Sequence, residues 1–270
     1  MKPTQTPAVL LILSSLVLFV GIAHSHSPKL ASDGAAPAHR AVIVELFTSE
    51  GCSSCPPADA LLKALSEQQS NQALEIIALE EHVDYWDHQG WKDPYSSSEF
   101  TERQNDYVRT LGGKGGAYTP QMIVDGHTEV IGSRSREASE IIVRAASQPK
   151  ANILLTPATD SANDKAAFEI KVTGLADTLR GESAELWIAI TEKSLHSDVK
   201  AGENSGLTLQ HAPVVRVIKS IDGFRGPADH VAQAAIKLQK SWRRENLAFV
   251  AFVVEKHSRA IIGAATAKVS

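Results

Sequence analysis

Gly51-Cys52-Ser53-Ser54-Cys55-Pro56-Pro57 holds both cysteines of a 270-residue chain, and the neighbouring segments take their meaning from it. If a helix begins at this point, positions i and i+3 share a face, and the two sulfurs come close enough for a reversible disulfide. The prolines place the helix start here. Pro56 and Pro57 would break a helix interior, but in a first turn their missing N–H groups have no intrahelical acceptor to lose. Unpaired amides and the positive end of the helix macrodipole then favour thiolate over thiol. Cys52 is therefore expected to attack, and Cys55, one turn in, to resolve.

Upstream, Ala41-Val42-Ile43-Val44-Glu45-Leu46-Phe47 is an apolar run of strand length, as expected for a buried parallel strand. Glu45 interrupts it. An ionised carboxylate is costly inside such a strand, and Glu45 is placed to exchange a proton with Cys55; an edge glutamate facing water is the competing reading. Downstream, Ala58, Leu61, Leu62 and Leu65 recur at helical spacing from Ser53 to about Gln69, and Leu74 to Leu79 is a second short strand. Strand, helix, strand in that order implies a right-handed parallel crossover. Both strands then end on one edge, where sites in open parallel sheets collect.

The segment after Leu79 runs from Glu81 to Tyr95 and is rich in aromatic, acidic and imidazole groups, including Tyr85, Trp86 and Trp91. Three readings compete: a capping loop, a substrate-binding wall beside the disulfide, or a metal site of His82, Asp84 and His88 with the two thiolates, for zinc or copper. Ser96 with Glu99 forms a possible capping box for a helix ending at Leu111, with Phe100, Gln104, Tyr107 and Leu111 on one side. Arg103 and Gln104 read as helix-surface residues. Tyr118 to Gly132 reads as strand, Asp-Gly turn, strand, opened by Thr119-Pro120, and a helix capped by Ser133 or Ser135 follows to about Ser147.

This βαβαββα order resembles the minimal thioredoxin fold. The resemblance implies that Pro120 is cis and faces the dithiol, that Thr119 beside it helps dock the partner, and that Glu45 stands for a buried acid on the strand before the cysteines. A closer likeness rests on Glu45 to Asp59, on His82-Val83-Asp84-Tyr85-Trp86-Asp87 with Gly90-Trp91, on Arg103-Gln104, and on Tyr118-Thr119-Pro120-Gln121. Together they resemble an exported bacterial family catalogued as domain of unknown function 1223, over roughly residues 40 to 265. Gly206 to Arg216 is similar to the family as well.

The chain opens with Lys2 and an uncharged run from Ala8 to Ala23, which reads as an export signal over residues 1–25, followed by a linker over 26–40. The mature protein is thus expected in the periplasm or secreted, where disulfides persist, with no membrane attachment after signal removal. A formal net charge of −4 with both signs scattered excludes a basic patch for nucleic acid. Gln148-Pro149-Lys150 marks a boundary between a thioredoxin-like domain (41–148) and a small all-β sandwich-like domain (151–270). Strands are expected at 167–173, 184–191, 213–218, 247–255 and 260–267, while 231–242 fits strand or helix. For His211 and Arg216 two readings stand, side chains that face the first domain or, as the default, ordinary structural hydrogen bonding. No G-x-S-x-G, phosphate loop or H-E-x-x-H occurs, so no cofactor is expected and hydrolase readings have no support. The expected activity is exchange with a protein or small-molecule thiol or disulfide through Cys52 and Cys55, with Thr119, Pro120, Tyr85 and Trp86 receiving the partner. The alternatives are a copper or zinc protein using Cys52, Cys55 and His82, and a binding module with an inert disulfide.

Overall fold

In the computed structural model of the protein, Met1 and residues 40–68, 74–112, 116–158, 164–179 and 183–269 are described. The signal segment and nearly all of the linker expected from sequence lie outside these residues.

The elements of the first half follow the expected order. They are β1 (Arg40–Thr48), α1 (Pro56–Glu67), β2 (Leu74–His82), α2 (Ser98–Leu111), β3 (Gln121–Val124), β4 (Thr128–Ile131) and α3 (Ser135–Ala146). β1 is parallel to β2, with Thr48 opposite His82, and antiparallel to β3, which pairs with β4. Alternation along β1 divides its residues between two cores. Val42, Val44 and Leu46 pack under Ala58, Leu62 and Leu65 of α1 and Ala138, Ile141 and Ile142 of α3. Ala41 and Ile43 face the other way, toward Phe100 of α2.

Three helix starts differ from the sequence reading. α1 begins at Pro56, not Ser53, so Cys55 is its N-cap rather than a residue one turn in. α2 is capped by Ser97, whose hydroxyl accepts from the Glu99 amide, in place of Ser96. The Ser96 hydroxyl is drawn away to Asp87 and the Asp93 carbonyl. α3 is preceded by Arg134 as its N-cap, with no side-chain cap from Ser133 or Ser135.

The second half adds β5 (Asn152–Pro157), β6 (Lys165–Thr173), α4 (Leu175–Thr178), β7 (Ser183–Glu192), β8 (His196–Asp198), β9 (Thr208–Gln210), β10 (Val214–Arg225), β11 (His230–Lys237), β12 (Leu247–Glu255) and β13 (Ile261–Lys268). Residues 231–242, open between strand and helix, are strand up to Lys237. A sheet in the order β11-β6-β5 packs over β7 and β12 through Phe168, Ile170, Ile188, Phe249 and Ala251. This layer is continuous with the first half through the shared sheet it packs on. One eight-stranded sheet runs β13-β12-β7-β10-β2-β1-β3-β4 across both halves. The join is narrow: Val214 of β10 sits beside Glu80 of β2, whose amide donates to the Pro213 carbonyl at 3.0 Å. β10 thereby covers an edge of β2 that would otherwise be left unpaired.

The sheet also curls back on itself. The Ile261 amide at the start of β13 donates to the Asp125 carbonyl in the β3–β4 turn, and Lys150 Nζ reaches both Asp125 Oδ2 at 2.6 Å and the Ile261 carbonyl at 2.9 Å. Gly126, at φ +73°, is required in that turn, because a Cβ there would stand 2.2 Å from the Arg259 carbonyl oxygen. The concave side encloses α2, with Phe100 against Ile77, Leu79, Val250 and Phe252.

Candidate functional site

Cys52 and Cys55 are joined by a disulfide, and both are fully buried. The turn that carries them is short-range: the Cys52 amide donates to the Ser49 carbonyl, and the Cys55 amide to the Cys52 carbonyl. The expected source of thiolate stabilisation is corrected here. The first two helical positions are prolines with no N–H, and the amides of Ala58 and Asp59 are taken by the Cys55 carbonyl. The group that contacts the Cys52 sulfur is the Ser54 hydroxyl at 3.4 Å.

The Thr119–Pro120 peptide is cis. Two devices hold this bend against the cysteine turn. Trp86, in a 3-10 turn over Asp84–Trp86, donates its indole N–H to Thr119 Oγ1 at 2.8 Å, and its Cβ lies beside Gly51. Gly132 lets Pro120 approach α1: a Cβ at Gly132 would meet Ala58 at 2.9 Å and Pro120 at 3.1 Å. Gln104 ties down both flanks of the bend, donating to the Tyr118 carbonyl at 2.7 Å and to Gln121 Oε1 at 2.8 Å. Tyr85 packs with Trp86 on Phe47, Val83, Tyr107 and Ile123.

Glu45 does not belong to this cluster. It lies on the α2 face of β1, opposite the cysteine helix, where its Oε2 accepts from Arg103 Nε at 2.6 Å and its Oε1 from the Tyr107 hydroxyl at 2.5 Å. Arg103 and Gln104, read as surface residues, are buried. Arg103 also lies 3.6 Å from Glu81 and stacks over Trp187 of β7 at 4.9 Å, so one guanidinium joins the two halves of the sheet. Burial and the charge of Glu45 push the Glu81 carboxyl well above its usual range, against the pull of Arg103. The acid on the cysteine side is Asp59. It lies one helical turn past Cys55 and accepts from Thr48 Oγ1 at 2.6 Å. Burial, then the negative charge of Glu80, raise it to about 7.

The loop after β2 is ordered by its own acids and caps the cysteine turn. Asp93 accepts from the amides of Glu50 and Tyr95 and from the His82 ring, and Trp91 Nε1 donates to Glu50 Oε2 at 2.7 Å. Asp84 accepts from Thr101, and His88 is exposed, so the set His82, Asp84 and His88 is not assembled. The groups that converge on His82 are Glu80 and His211, and no sulfur is among them. Glu80 Oε1 is 3.3 Å from His82 Nε2 and 3.0 Å from His211 Nδ1. Burial pushes both rings down in pKa, yet Asp93 and Glu80 hold His82 well above its usual value, and Glu50 and Glu80 hold His211 at about 9. Arg216 also reaches the first half: it pairs with Glu192 at 2.8 Å and lies over the Tyr95 ring.

A second loop, between β8 and β9, closes over the disulfide turn. Buried Asn204 donates from Nδ2 to the carbonyls of Glu50 (2.8 Å) and Cys52 (3.0 Å), and Glu203 accepts from the Ser53 amide. Gly202 packs against Trp91. Asn204 gave no signal in the sequence, because its partners are backbone atoms some 150 residues away.

Fold and site together define a mixed α/β protein on one large central sheet, with a C-x-x-C disulfide at a helix start. The chain belongs to the family described as protein of unknown function (DUF1223), whose model matches residues 43–254. It is similar to a crystal structure of an Agrobacterium tumefaciens protein at 26% identity, covering 85% of this chain and 94% of that one, with a TM-score of 0.63. HBP35 of Porphyromonas gingivalis shares the fold at 16% identity, over 86% of this chain and 76% of that one, with a TM-score of 0.62. No curated protein matches the sequence.

Proposed function

We propose that this is an exported thiol-disulfide exchange protein whose first half is thioredoxin-like. The observation that carries the reading is the placement of the Cys52–Cys55 pair at the start of α1, with the Thr119–Pro120 bend held against the same turn through Trp86. In the reducing direction, the Cys52 thiolate attacks one sulfur of a partner disulfide. The partner's S–S bond breaks, the attacked sulfur is held in a mixed disulfide with Cys52, and the partner's other sulfur leaves as thiolate. The Cys55 thiolate then attacks Cys52 Sγ, expels the second partner thiolate and closes the internal disulfide, so two electrons pass to the partner. Asp59, titrating near neutrality on the cysteine helix, is suited to take the Cys55 proton. Thr119, Tyr85 and Trp86, half-buried around the buried Pro120, offer the docking surface for a protein or small-molecule disulfide. Export is supported by the uncharged run from Ala8 to Ala23.

The complete burial of both cysteines favours a second reading, a permanent staple that never exchanges. Cys55→Ser separates the two. If exchange occurs, the variant accumulates mixed disulfides through Cys52 that dithiothreitol releases, and more of them when Asn204→Ala loosens the covering loop. If no mixed disulfide forms in either background, the disulfide is a staple.

A further inference from the structure

We propose that Glu80, His82 and His211 bind one divalent transition-metal ion of zinc's class, at a site behind the cysteine turn that uses neither sulfur. The inference is independent of the exchange reading. Two imidazoles and one carboxylate form a donor set suited to such ions. All three residues are nine-tenths or more buried, and their ligating atoms lie within 4.8 Å of one another. A tetrahedral ion with bonds of about 2.0–2.1 Å holds its ligand atoms roughly 3.3–3.4 Å apart. Glu80 Oε1 is already 3.3 Å from His82 Nε2 and 3.0 Å from His211 Nδ1.

The rings are held as metal-binding histidines are, with the nitrogen that is not bound to metal against a carboxylate. His82 Nδ1 is 2.7 Å from Asp93 Oδ2, and His211 Nε2 is 3.1 Å from Glu50 Oε1. Those carboxylates are fixed in turn, Glu50 by Trp91 and Asp93 by the Glu50 and Tyr95 amides. The ring atoms facing inward are therefore selected by what holds their opposite sides.

A second, independent observation points to a ligand. Glu80 Oε2 is buried and has no hydrogen-bond partner, and His82 Nε2 makes none of good geometry, its nearest acceptor being Glu80 Oε1 at 3.3 Å. Buried polar atoms are seldom left so, and a cation between the rings and the carboxylate would satisfy both. A cleft of about 640 Å³ between α1 and the β8–β9 hairpin has His211 in its wall, together with Lys63, Leu195 and Gln210. The site lies at the narrow join of the sheet, with Glu80 and His82 on β2 and His211 three residues before β10, so an ion there would pin the two halves together.

The test is titration of the full, disulfide-intact chain, stripped with chelator, against zinc followed by calorimetry, and against cobalt(II) followed by visible absorption. The expected result is one equivalent bound, a thermal midpoint that rises with zinc concentration, and cobalt ligand-field bands without thiolate charge-transfer absorption. His211→Gln should weaken binding at least tenfold, and the Cys52→Ser, Cys55→Ser double variant, which abolishes exchange, should bind as the wild type does. Absence of saturable binding to the wild-type chain, unchanged affinity in His211→Gln, or loss of the site in the cysteine double variant would each overturn the proposal. Should His211→Gln fail to fold, the wild-type stoichiometry and the cobalt spectrum decide alone.

Discussion

Asn204→Ala tests how the buried disulfide is reached. The Asn204 amide donates two buried hydrogen bonds, to the carbonyls of Glu50 and Cys52, and it is the deepest contact of the β8–β9 loop with the cysteine turn. At about 1 kcal/mol net per bond, its loss weakens the closed loop by about 2 kcal/mol. Reduction of a buried disulfide proceeds from a transiently opened state whose population follows the local opening free energy. A change of 2 kcal/mol corresponds to roughly 30-fold more open state, and hence to roughly 30-fold faster reduction. The assay is pseudo-first-order reduction by dithiothreitol at fixed pH, quenched by alkylation and read by mass, with circular dichroism to confirm the fold. Glu203→Gln serves as the control, because its bond to the Ser53 amide is exposed and its removal should leave the rate nearly unchanged. If Asn204→Ala accelerates reduction less than threefold with the fold intact, the loop is not what shields the disulfide.

Arg103→Met leaves Glu45 and Glu81 buried without their cation. It should cost about 3–5 kcal/mol in urea unfolding, partly recovered by adding Glu45→Gln; a cost below about 1 kcal/mol would refute the pairing. Asp59 holds a proton in the folded state that the unfolded chain releases near pH 4, so its own contribution to stability falls as pH rises from about 4 through about 7 and is constant beyond. In metal-free protein, Asp59→Asn, which still accepts from Thr48, should therefore gain on the wild type across that window, by roughly 4 kcal/mol at most. Parallel unfolding curves for the two proteins from pH 4 to 8 would contradict this. Gly126→Ala drives a Cβ into the Arg259 carbonyl at a positive φ and should destabilise by at least roughly 2 kcal/mol, visible as a lowered melting temperature; an unchanged one would contradict the close approach.

Much of the first half is legible in the sequence because its signals are local. The apolar run 41–47, the Cys-Pro-Pro start, the Asp125-Gly126 turn and the stripe Ala138, Ile141, Ile142, Ala145 each declare one element, and each is found. Arg103 was misread, although a signal existed: positions 100, 103, 104 and 107 have the spacing of one buried helix face, and a charge on that face needs a buried partner. The shared sheet left no such trace. A single bridge between Glu80 and Val214 joins residues distant in sequence, and nothing local in either strand names the other. For the same reason the cluster of Glu50, Glu80, His82, Asp93 and His211 is invisible until the chain is folded. Asp59, lying four residues after Cys55 on a helix, reads as a solvated acid until Thr48 and Glu80 are seen beside it.

The most direct measurement of the central claim is the pH dependence of alkylation of each cysteine in the reduced protein. Cys52, beside the Ser54 hydroxyl and just ahead of the start of α1, should react faster than Cys55 and with a midpoint below the free-thiol value of about 8.5. A Cys52 midpoint at or above that value, or Cys55 reacting first, would contradict it.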